Sequence, residues 1–176
     1  MRSLYFLVVA LAVSSCGTGG DKSDETQVDQ VFNAEMASQS ISTAFPDATG
    51  IKIHAVCGPS VGKGLYEDDQ FGAFQSDAIS EGRLIFFSGA DNTSPNVAFR
   101  DASGQYLFAL ADGGEVRILG PNSSTWIVAY PSTGVVETHN LVTKDGQMID
   151  LWTSNKPAIS SLGATARVFT SNCSRP

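Results

Sequence analysis

The chain has 176 residues, of which 42% are hydrophobic and 16% charged, enough apolar surface for a core and too little charge for a disordered chain. At this length a single domain is expected. A net charge of −7 argues against nucleic acids and anionic lipid surfaces as partners, because both are recognised by clustered Lys and Arg.

Met1-Arg2 opens the chain with a positive charge, and Leu4 to Val13 is an uncharged apolar run. The run is shorter than the roughly 20 residues that cross a bilayer, and it reads as the core of a signal peptide over residues 1–15. Val13-Ser14-Ser15-Cys16 resembles the lipobox of bacterial lipoproteins. The resemblance implies that Cys16 is acylated and that a lipid anchor holds the mature chain at the membrane. Gly17 to Gln27 has no apolar side chain to bury and is expected to form a flexible tether over residues 16–27. Gly17 is not the Asp that favours inner-membrane retention in enterobacterial lipoproteins, so the resemblance points to the outer membrane, with the domain facing the periplasm. Residues 28–176 are left for one β-rich domain.

Val28, Val31, Phe32 and Met36 fall at helical spacing and predict a short amphipathic helix over Val28 to Ser38. From Ile51 onward, short apolar runs alternate with turn chemistry at intervals of about 8 to 14 residues, the pattern of an all-β barrel or sandwich. Strands are expected at Ile51 to Cys57, Arg83 to Ser88, Asn96 to Asp101, Tyr106 to Ala111, Glu115 to Leu119, Thr125 to Tyr130, Val135 to Val142, Gln147 to Trp152 and Ala164 to Ser171. Their connections, such as Ser103-Gly104, Pro131 to Gly134 and Asp145-Gly146, are short, so successive strands should pair as an antiparallel meander. The expected fold is an antiparallel barrel or twisted sandwich of about eight to ten strands. Pro157 to Leu162 should add one helical turn. Gly58 to Gly82, rich in glycine and polar residues, is expected to be the longest irregular loop and a place for binding. Arg83 to Ser88 and Tyr106 to Ala111 are apolar on both faces, so a second layer must cover them, either the N-terminal helix or a partner.

With Cys16 assigned to lipid, Cys57 and Cys173 remain, and two cysteines in an exported chain are expected to form a disulfide. No metal or other cofactor is expected, since Cys-x-x-Cys and His-x-x-x-His spacings are both missing. Gly58 to Gly64 departs from the phosphate-binding loop, with three spacers where four are needed and glycine in place of the hydroxyl. Glu67-Asp68-Asp69 lacks the alternating spacing of a calcium loop and reads as a solvated acidic turn.

There are two histidines, His54 and His139. If Asp145-Gly146 is a two-residue hairpin turn, residue 144 pairs with 147, His139 faces Trp152 and Leu141 faces Asp150. Glu137, His139, Asp150 and Trp152 then share one face, as a general base and its carboxylate would, but no nucleophile is apparent. Phe86, Phe108, Trp126, Tyr130 and Trp152 are candidates to line an apolar cavity.

These features favour a non-enzymatic envelope lipoprotein that binds a protein or cell-wall partner. A carrier of a small hydrophobic ligand in a lipocalin-like barrel is the alternative, although the lipocalin G-x-W signature is missing. A hydrolase-type enzyme using Glu137, His139 and Asp150 ranks third.

Overall fold

A computed structural model describes residue 41 and residues 50–67, 71–101, 103–158 and 163–175. Among the described residues, ten strands form one antiparallel sheet: β1 (Lys52–Tyr66), β2 (Gln75–Ile79), β3 (Arg83–Ser88), β4 (Asn96–Arg100), β5 (Tyr106–Phe108), β6 (Glu115–Leu119), β7 (Thr125–Tyr130), β8 (Val135–Lys144), β9 (Gln147–Lys156) and β10 (Thr165–Ser174). They run in the order β5-β4-β3-β1-β10-β9-β8-β7-β6, with β2 added alongside β1. The outermost strands, β5 and β6, are consecutive in the chain. Residues 109–114 join them and can span at most about 20 Å, so the sheet has to curl until its edges approach each other. The result is a curled half-barrel built from two meanders, β1 to β5 and β6 to β10, that meet at the β1–β10 seam.

The second meander follows the expected strands closely. Asp145 and Gly146 have φ values of 52° and 81°, the paired positive angles of a type I′ turn, and the register that turn sets runs from Lys144↔Gln147 through His139↔Trp152 to Val136↔Asn155. At the seam, Cys57 and Cys173 are direct cross-strand partners and form a disulfide, 116 positions apart in sequence.

In the first meander the expected irregular loop is largely strand. Gly58 to Tyr66 continues β1 past a bulge, and Gln75–Ile79 is β2, paired to it through Ser60↔Ile79 and Gly64↔Gln75. Glycine in this segment marks close packing and not a loop: a Cβ on Gly62 would sit 2.0 Å from the Val168 carbonyl oxygen and 2.8 Å from the Phe169 Cα. β5 ends at Phe108, short of the expected Ala111, because the Asp112 amide bonds back to the Phe108 carbonyl and the Gly114 amide to that of Ala109. The expected helix over Val28 to Ser38 lies outside the described residues, as do residues 159–162 of the expected helical turn.

Alternation sorts the side chains of each strand to two faces. The concave face holds the main core, including Cys57, Leu84, Phe86, Val97, Trp126, Val128, Trp152 and Phe169. A second cluster on the convex face of β1, β3 and β4 joins Val56, Ile85, Phe87 and Ala98 to Ile41, which is fully buried. At Ile41 the chain therefore covers its own second apolar face, which answers in part what lies over Arg83 to Ser88.

Candidate functional site

The β8–β9 hairpin builds the polar part of the concave face. Glu137 pairs with Ser154, His139 with Trp152 and Leu141 with Asp150 on one side, while β7 places Trp126 opposite His139 and Val128 opposite Glu137 on the other. His139 and Asp150 are completely buried, and His139 Nδ1 lies 2.8 Å from Asp150 Oδ2. The imidazole stacks on Trp152 at 5.3 Å between centroids and meets the edge of Phe86 at 5.1 Å. Its other nitrogen, Nε2, has no hydrogen-bond partner among the described residues, and Glu137 Oε2 stands 3.9 Å away, too far for a hydrogen bond.

Burial alone would push the His139 pKa down. The hydrogen-bonded Asp150 carboxylate and the charge of Glu137 outweigh it and raise the pKa to about 9, so the ring is an imidazolium at neutral pH. Nδ1–H then donates to Asp150, and Nε2–H is left as a free donor.

His139 lines a cavity of about 260 Å³. Ile79, Leu84, Val97, Phe99 and Val128 form its apolar side, and Ser60, Tyr130, Glu137, His139, Ser154 and Arg167 its polar side. The Tyr130 phenol is pushed up to about 12 by burial and by the charges of Glu137 and Asp112, which keeps it protonated. Arg167 closes one side, with its Nε 3.5 Å from Asp77 Oδ2 and its guanidinium 5.5 Å from the Tyr66 ring centre. The Tyr66 hydroxyl donates to the same Asp77 carboxylate.

The structure therefore brings together Glu137, His139, Asp150 and Trp152, as the hairpin register implies. Of the expected lining residues, Phe108, Tyr130 and Trp152 line the cavity. Trp126 and Phe86 pack against each other at 5.4 Å in the core and do not line it. Phe108 also packs its ring edge-on against Phe87 in the convex cluster. Sequence reasoning missed Ser60, Ser154 and Arg167. Ser60 was hidden by reading its segment as a loop, whereas extending the Asp145-Gly146 register by two residues would have found Ser154 opposite Glu137. Arg167 becomes an inward residue only through its pairing with Ser154, which is set by the β9–β10 register.

At the other end of the curl, His54 sits at a β-bulge between Ile53↔Phe87 and Ala55↔Phe86. Ser88 donates its hydroxyl hydrogen to the Gly89 carbonyl and so accepts from His54 Nε2–H at 2.9 Å. Burial, then Lys52 and Arg175, lower the His54 pKa, so this histidine is neutral where His139 is charged. It borders a wide, solvent-open cleft shared with Lys52, Arg117 and Arg175. Among the described residues, no group of three or more His, Cys, Asp or Glu side chains is arranged to hold a metal ion. Cys16 lies outside the described residues. In comparisons with known proteins, no family model, curated protein or solved structure matches the chain.

Proposed function

We propose that this chain is a lipid-anchored binding protein of the bacterial outer membrane that holds a small, apolar-bodied ligand inside its curled sheet and performs no chemistry on it. The observation that carries this reading is the cavity of about 260 Å³ beside the concave core, lined by both apolar and polar side chains. It is slightly smaller than the range of roughly 300 to 1,000 Å³ for drug-sized ligands, so a small ligand fits it best. Glu137, His139 and Asp150 belong to the binding surface in this reading.

Docking to an envelope protein or cell-wall component is the second reading, supported by Val61, Leu151 and Val168, which point outward and are exposed on neighbouring strands β1, β9 and β10. Native mass spectrometry of the full chain, extracted from bacterial membranes, separates the two. The carrier reading expects a discrete mass excess that disappears on denaturation. A bare chain that cross-links to a single envelope component would replace it with the docking reading. In the same preparation, Cys16→Ser should move the protein to the soluble fraction, and retention in the membrane would remove the lipid anchor.

A further inference from the structure

Resting on the carrier reading, we propose that the cavity selects a neutral ligand with a hydroxyl head, an apolar alcohol or phenol whose oxygen bridges His139 and Glu137. His139 is completely buried and lines the cavity, its Nδ1 is committed to Asp150, and its Nε2 has no hydrogen-bond partner among the described residues. A buried donor left unsatisfied is unfavourable, and a ligand acceptor would relieve it. Glu137 Oε2 lies 3.9 Å from that nitrogen. A hydroxyl oxygen about 2.8 Å from each would sit to one side of the line that joins them, reached by a small side-chain shift, and it would both accept from Nε2–H and donate to the carboxylate.

The charges around this point exclude the other common heads. A ligand carboxylate would satisfy His139 but face Glu137, with Asp112 also on the cavity wall. An ammonium would satisfy Glu137 but face His139, with Arg167 nearby. A bare carbonyl accepts from His139 and turns its second lone pair toward a carboxylate. A group that donates and accepts through one atom meets both sides without adding charge. The body of the ligand lies against Leu84, Val97, Phe99 and Val128, and the cavity holds on the order of nine water-sized groups, which limits it to roughly the size of one substituted ring.

Four probes of one shape test this on the full chain: benzyl alcohol, toluene, benzylamine and benzoate, titrated against tryptophan fluorescence, with Trp152 on the cavity wall as reporter. Benzyl alcohol is expected to bind at least about tenfold more tightly than each of the others. Glu137→Gln keeps the shape of a partly exposed side chain and removes its charge. It should therefore raise benzoate affinity about tenfold relative to benzyl alcohol, because His139 is then unopposed. Equal affinities for benzyl alcohol and toluene in the unmodified protein would overturn the hydroxyl assignment and leave the carrier reading intact. Failure of every probe to bind at up to about 10 mM, where even millimolar affinity would register, would overturn both.

Discussion

The two meanders bury their faces differently. Strands β1, β3 and β4 are apolar on both sides, with Leu84, Phe86 and Val97 in the concave core and Val56, Ile85, Phe87 and Ala98 in the convex cluster with Ile41. Strands β8 to β10 instead send polar residues inward, among them His139, Asp150, Ser154 and Ser171, while Thr138, Thr153, Thr170 and Asn172 occupy outward positions. A sheet covered by its own chain can dispense with alternation. One that meets water on its convex side cannot, and its inward polar groups are tolerable only when paired. The first half is therefore held by non-directional apolar contact on both faces, and the second adds to the apolar contacts of Trp126, Val128, Trp152 and Phe169 a buried pair, His139 with Asp150, whose loss leaves a charge stranded.

The largest perturbation should fall on the seam between the halves. Cys57→Ser opens a loop of 116 positions and is expected to destabilise the oxidised protein by about 4 to 5 kcal/mol in the chain-entropy account, read from urea unfolding. A midpoint unchanged from the parent would show that the two meanders hold together without the bond. Next comes Asp150→Ala in the second half, which strands a buried imidazole and should cost about 3 to 5 kcal/mol.

The same pair makes stability depend on pH. Because the His139 pKa is raised from 6.5 to about 9 in the folded state, its contribution is complete below pH 6.5 and is lost as pH climbs through 9. The groups responsible are Asp150 on β9 and Glu137 on β8, since the other described ring contacts of His139, Phe86 and Trp152, do not titrate. Unfolding free energy should fall by about 3 kcal/mol between pH 6 and 10, and Asp150→Asn should flatten much of that slope. An identical slope in the variant would remove the ion pair from the account. The smallest effect belongs to the first half: Ile85→Val in the convex cluster should cost about 0.5 to 1.5 kcal/mol, independently of pH. A change near zero would indicate that this face is less tightly covered than Ile41 implies.

The same contrast explains how much could be read in advance. In β8 and β9, Asp145-Gly146 specifies a turn type, the turn specifies a register, and the register alone places His139 opposite Trp152 and diagonal to Asp150. In β1 the signals conflict. Gly58, Gly62 and Gly64 carry the composition of a loop, yet they are glycine because neighbouring atoms of Val168, Phe169 and Tyr66 stand where a Cβ would be at two of the three. No local pattern distinguishes a glycine needed for a turn from one needed for close approach, since the approaching atoms come from Tyr66 two residues away and from β10 a hundred residues later.

Local chemistry by itself determined the all-β class, most strand positions and the hairpin register, because alternation and turn residues act over a few positions. Only the tertiary structure decided that the sheet curls as a half-barrel, that Gly58 to Tyr66 is strand, and that Ser60, Arg167 and Tyr130 converge with His139 on one cavity. Those outcomes depend on which distant strands lie side by side, and that is set by the burial of the whole chain.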